Sequence, residues 1–355
     1  MMNNLLRGWS PTDRRHIVAM AAVVVVLNAT GWGVLLAVVA PQRFDVGSAG
    51  VFGVGLGVTA FLLGARHAFD ADHIAAIDNT TRKLVGDGSP AATTGFWFGM
   101  GHSSVVFALS LLLAIGVRAL ADPVQDDGSV LQGTLGTVGT VTAGTFLIVI
   151  GLMNLSALVG IVHAYRHLRA GTFDEEHLEH HLHNRGFLAR IFKRTTQKVT
   201  RARHLYPVGL LMGLGFDTAT QVALLVLAGG TAAFALPWYA ILTLPVLFAA
   251  GMVLFDSIDG VLMTRAYSWA FLKPIRKIYY NFTVTILSVT VALSIGALLL
   301  VQLAAEWVPG LAWAGSLDLE YVGFGLVALF IVVWAASVAW YHLGHVEEKF
   351  EKGVA

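Results

Sequence analysis

Eight apolar stretches, each long enough to cross a bilayer, constrain this chain more than any other feature. They run over residues 17–40, 50–79, 92–118, 134–164, 205–229, 237–264, 281–306 and 321–344. Each reaches the ~20 residues that a helix needs to span the hydrocarbon layer. Charged residues make up only 13% of the chain, about half the share of a soluble domain. The 38 glycines suit helices that pack closely in lipid. The expected fold is an all-α integral membrane protein, one polytopic domain (1–355) with eight transmembrane helices.

An even number of spans puts both termini on one side, and lysine and arginine decide which side that is. With the termini inside, 20 of the 23 basic residues fall in inside segments; Arg43 and Arg118 lie outside and Arg66 lies within the membrane. Both termini are therefore expected in the cytoplasm. Arg7, Arg14 and Arg15 before an apolar run resemble a signal peptide. That run continues to Ala40 and Pro41 is a poor residue to follow a cleavage site, so it reads as a retained first helix. The one sizeable soluble piece is the inside loop 165–204, which reads as amphipathic helix on the cytoplasmic surface and holds the histidine-rich run HLEHHLH (177–183). The net charge of +1 gives no argument for nucleic acid. No GxxxxGK[ST] loop is present, so neither ATP nor an ATPase subunit is demanded. The absence of cysteine excludes disulfides and thiolate metal sites.

Within the second span, FLLGARHAFDADHIAAIDNTTRK (61–83) places Arg66, His67, Asp70, Asp72, His73 and Asp78 in or against the membrane. Ionisable groups at that depth cost at least about 2.5–3.5 kcal/mol each and mark a functional site by default. Two imidazoles with neighbouring carboxylates point to a divalent metal ion held by nitrogen and oxygen. His67 and His73 are six residues apart, about 120° around an ideal helix and about 9 Å along it. One regular helix does not turn both toward one ion. Either the helix is broken locally, or the two serve successive positions along a path. Arg66 needs a carboxylate beside it, with Asp70, Asp217, Asp256 and Asp259 as candidates.

Other spans carry Asn28, His102 (in GMGHSSVV), Asn154, Asp217 (in GLGFDTATQ), and Asp256 and Asp259 (in GMVLFDSIDG). A lone Asn28 suits an interhelical hydrogen bond, and Asp256 and Asp259 suit a salt bridge to Arg265 or a cap. Spans seven and eight hold little beyond Ser and Thr and read as packing. FDADH (69–73) and FDTATQ (216–221) echo each other about 18–20 Å above the cytoplasmic surface on oppositely directed spans. GMGHSS and GMVLFDS form a second such pair. This is the pattern of an inverted repeat relating spans 2–3 to spans 5–6, which in transporters sets the substrate site where the halves meet.

The motifs RHAFDADHIAAIDNTTRK, FWFGMGHSSVV, LGFDTATQ and LFAAGMVLFDSIDG, in that order, resemble the nickel/cobalt transporter family over nearly the whole chain, with its HxxxxDH signature at His67, Asp72 and His73. The resemblance implies high-affinity uptake of Ni²⁺ or Co²⁺ as substrate, without a cofactor, across a bacterial-type inner membrane. It also implies that His67, Asp72 and His73 are required, with Asn28 beside them; His102, Asp217, Asp256 and Asp259 match its other motifs. Two departures stand out. Gln221 stands where the family has Glu, and the loop histidines His177, His180, His181 and His183 are more numerous than the family generally carries. These four offer a spacing that binds metal, as against a solvated amphipathic face.

The membrane potential is worth about 4.6 kcal/mol for a divalent cation at 100 mV, roughly a 2,000-fold gradient, so no coupling ion is demanded. Two rivals share these residues. One is an exporter of the same metals. The other is a membrane di-iron oxygenase, because HLEHH (177–181) matches an HxxHH box; those enzymes need several boxes, and the chain has one.

Overall fold

The structure is a computed structural model that describes residues 9, 11–45, 51–114, 130–169, 199–214, 236–270, 274–315, 317 and 322–343. Among the described residues regular structure is helical, and the only extended pairing is an isolated bridge between Asp45 and Val51. Helix α1 (Pro11–Val34) starts on a proline, whose missing N–H costs nothing in a first turn. It continues through a π turn (Leu35–Val39) and a 3₁₀ turn (Ala40–Gln42), and Arg43 then turns left-handed (φ 47°) to end it. Helices α2 (Val54–His67), α3 (Ala71–Gly86), α4 (Thr94–Ala114), α5 (Val130–Arg169) and α6 (Leu205–Met212) follow. Then come α7 (Trp238–Ala270), α8 (Pro274–Ala305), the single turn α9 (Ala312–Gly315) and α10 (Val322–Leu343).

Among the described residues four helices are long and apolar enough to cross a membrane: Pro11–Gln42, Gly136–Ser156, Trp238–Ser268 and Thr285–Ala305. The chain is a multi-pass membrane protein. The second expected span does not appear among the four because it is two pieces, α2 and α3, joined by a turn at residues 68–70. Neither piece alone is long enough.

Helix α7 is central and packs on α1, α2, α3 and α4. Its apolar segment is 72% buried, against 22% for that of α1. On α1 the valines 18, 23, 25 and 26 point outward, 44–64% exposed, as a lipid-facing stripe would. Two helix crossings hold the centre, and both are built the same way. A Cβ at Gly64 would lie 2.0 Å from the Phe248 carbonyl oxygen, and one at Gly251 would lie 2.2 Å from that of Phe61. Between α4 and α6, a Cβ at Gly101 would meet the Tyr206 oxygen at 2.0 Å, and one at Gly209 the Phe98 oxygen at 2.1 Å. In each case a glycine sits on the carbonyl three residues before the partner glycine. Only glycine permits so close a backbone approach.

Span seven, expected only to pack, also donates hydrogen bonds from α8, together with α7 of span six. Tyr267 of α7 and Ser288 of α8 both donate to the buried Asp78 carboxylate, the latter at 2.8 Å. Arg82 donates to Thr285 of α8, and Asn154 of α5 donates to Asn79 at 2.6 Å. The polar run Asp78–Arg82 is buried (0–6% exposed), and Asp78, Asn79 and Arg82 draw partners from three neighbouring helices, as buried polar groups require.

Candidate metal site

The break in the second span builds the site. Helix α2 ends at His67, and three bonds tighten the chain beyond it: Ala68 N–H to Gly64 O (3.2 Å), Phe69 N–H to Arg66 O (2.9 Å) and Asp70 N–H to His67 O (3.0 Å). Asp70 is extended (φ −66°, ψ 147°), and its carbonyl starts α3 by accepting from Ile74 N–H at 3.1 Å. Backbone loosened at membrane depth must be buried in protein. Here α10 covers it: a Cβ at Gly323 would lie 1.4 Å from Phe69 O, and the Phe324 ring stacks on Phe69 at 5.0 Å and 17°.

The turn brings together what a continuous helix would hold apart. The rings of His67 and His73 lie 4.7 Å apart, and His102 of α4 completes a near-equilateral triangle at 4.9 and 4.7 Å. One ligand nitrogen from each lies within 4.8 Å of the other two. His67 Nε2 and His102 Nε2 are 3.1 Å apart. Two imidazoles bound at about 2.0–2.1 Å to one ion, 90–110° apart, have nitrogens about 2.8–3.4 Å apart. The observed spacing matches one edge of a coordination shell and equally an N–H···N hydrogen bond between the two rings.

Carboxylates stand behind two of the rings. Asp70 Oδ2 accepts from His67 Nδ1 at 2.7 Å, and Asp256 Oδ1 lies 3.4 Å from His73 Nδ1. A proton held on each Nδ1 leaves Nε2 as the lone-pair donor, the carboxylate–histidine arrangement that orients metal ligands. Consistent with this, His73 is wholly buried and its Nε2 has no hydrogen-bond partner among the described residues. The C-terminal, negative end of α2 arrives at His67, which favours a cation. The positive N-terminal end of α3 is offset by Asp70 and Asp72. Phe98 and Phe248 wall the triangle at 4.7 and 6.0 Å from the His73 and His67 rings.

The other expected residues divide. Asp72 accepts the His73 backbone N–H at 3.0 Å and is not part of the imidazole group. Asn28 turns its amide onto Val24 O of its own helix at 2.9 Å. Asp256, expected to pair with Arg265 or to cap a helix, faces His73 instead, while Arg265 sits 5.7 Å from the Trp9 ring. Asp259 keeps one buried carboxylate oxygen without a partner among the described residues. Arg66 lies half-buried in the last turn of α2. Asp217, Gln221, His177, His180, His181 and His183 lie outside the described residues.

The family model described as "High-affinity nickel-transport protein" matches residues 53–339, a range that contains the break, the three histidines and both glycine crossings. The chain belongs to the high-affinity nickel-transport protein family. It is 53% identical over 335 residues to the nickel transporter NicT of Mycobacterium tuberculosis, covering 93% of this chain and 90% of that one. It is 40% identical over 340 residues to the high-affinity nickel transport protein of Cupriavidus necator, covering 93% of each. It is 38% identical over 350 residues to the cobalt transport protein NhlF of Rhodococcus rhodochrous, covering 95% of each. No solved structure matches the chain. The members of this family are transporters, not enzymes, which disfavours the oxygenase reading.

Proposed function

We propose that this protein takes up Ni²⁺ and/or Co²⁺ across the cytoplasmic membrane, with the ion held at the His67–His73–His102 triangle. The observation that carries this reading is the convergence of three imidazoles on one point inside a family of nickel and cobalt transporters. Neutral imidazole suits both metals. Asp70 and Asp256 supply negative charge from behind the rings. Asp72, Asn28 and Asp217 remain candidate ligands for an ion entering or leaving the triangle. Drawn inward by the membrane potential, the ion needs no partner ATPase and no coupling ion.

The same reading has eight spans, both termini cytoplasmic, with span two formed by α2 and α3 together. The matching registers of the α2–α7 and α4–α6 crossings support the inverted repeat. Exchanging spans 2 with 5 and 3 with 6 turns one crossing into the other, and the triangle sits beside both. The loop histidines 177, 180, 181 and 183 are a candidate cytoplasmic acceptor.

The test is competitive uptake of labelled Ni²⁺ and Co²⁺ in cells with and without the protein, alongside His67→Ala and His73→Ala at equal membrane abundance. Accumulation that both variants abolish is expected. Wild-type uptake by either variant overturns the site, and depletion in place of accumulation would make the protein an exporter.

A further inference from the structure

A cavity of about 550 Å³ lies apart from the triangle, between α1, the start of α4 and the segment that leads into α6. Its α1 wall is His16, Ala19, Met20 and Val23, spaced as one stripe of a helix. Phe96 and Trp97, in the first turn of α4, face it, and Arg201 and Arg203 line it from the segment before α6. Every charged side chain among the described residues that line it is basic, and both arginines are exposed. The arginine segment is held in place, since Lys83 at the end of α3 donates to Val199 O at 2.7 Å and to Asp87 at 3.2 Å. The volume is in the range of cavities that take a ligand, about 300–1,000 Å³.

We propose that this cavity binds an anionic glycerophospholipid of the inner leaflet. The phosphodiester sits between Arg201 and Arg203, and one acyl chain runs along Met20, Val23 and Phe96. Three observations favour a lipid. The wall below the arginines is apolar, and a soluble anion would gain nothing from it. The α1 stripe shares Val23 with the exposed valines of that helix, so the cavity opens toward its outward face. Trp97 sits where an indole spans the boundary between acyl chains and headgroups. Basic pockets between helices on the cytoplasmic side recognise anionic headgroups in this way. The bound lipid would tie α1 to α4 and to the entry of α6, one of the two helices of the α4–α6 crossing, whichever way the cation travels.

The experiment uses the full chain purified in detergent, with binding read by native mass spectrometry and stability by thermal unfolding. The probes are phosphatidylglycerol, phosphatidylcholine of the same acyl chains, and sn-glycerol 3-phosphate. Phosphatidylglycerol should bind and raise the unfolding temperature, and the other two should do neither. The double variant Arg201→Ala/Arg203→Ala should unfold at the lipid-free temperature of the wild type and bind phosphatidylglycerol roughly 30-fold more weakly, about fivefold for each arginine. Arg201→Lys/Arg203→Lys should keep most of the affinity. Equal binding of phosphatidylcholine, unchanged binding by the alanine double variant, or displacement of the lipid by glycerol phosphate at equal concentration would each overturn the proposal.

Discussion

Gly323→Ala should disable transport from a helix that contributes no ligand. The added Cβ would lie 1.4 Å from Phe69 O and 2.6 Å from the carbonyl carbon. Real Cβ contacts essentially never fall below 3.0 Å, so the first turn of α10 and the 68–70 turn must separate by at least about 1.6 Å. The contact is backbone on backbone, so no side-chain rotation relieves it. The displaced peptide joins His67 to His73, whose rings are 4.7 Å apart. Ligand constellations tolerate about 0.5 Å, and a misplacement of about 1 Å can cost 10²-fold. Initial uptake of labelled Ni²⁺ should therefore fall about 100-fold. Overpacking of this kind also costs about 1–3 kcal/mol of stability, so rates are normalised to protein in the membrane. Gly325→Ala is the internal control: two residues away, its Cβ would meet nothing within 4 Å, and uptake should match wild type. If Gly323→Ala at equal abundance also transports like wild type, the break is not held by α10 and the account of the site fails.

Three further outcomes follow from the same geometry. Asp256→Asn, which weakens the hold on His73 Nδ1 (3.4 Å), should lower apparent metal affinity about 10–100-fold, read as a raised KM for uptake with protein abundance unchanged. Tyr267→Phe removes one donor to the buried Asp78 and should cost about 1–3 kcal/mol of stability; it should lower the unfolding temperature of purified protein while leaving the uptake KM within about threefold, because the Asp78 network holds α3, α7 and α8 together without touching the triangle. Protons and metal compete for the same imidazole lone pairs, so the KM for uptake should rise as pH is lowered and recover as pH is restored; a KM that stays flat down to the acid limit of the protein's stability would remove histidine from the ligand set.

The sequence alone determined the class of protein and the residue types of its candidate site. Span lengths follow from bilayer thickness, and the residue types His67, His73 and His102 at membrane depth admit few roles. It could also state the geometric problem, that six residues of regular helix separate His67 from His73. It could not choose between the two solutions, because residues 61–83 contain no proline and glycine at 64 is only permissive. What decides is tertiary: the turn survives in lipid because its loosened backbone is covered by Gly323 and Phe324, some 250 residues away, and because glycines 64 and 251 let α7 close against α2. The role of Asp256 was hidden for the same reason. Counted along its own helix it lies near Arg265, and only the packing of α7 on α3 turns it toward His73. Local composition set which residues could bind a cation, while non-local backbone contacts set which of them meet, since a helix in lipid can be broken only where other helices satisfy the break.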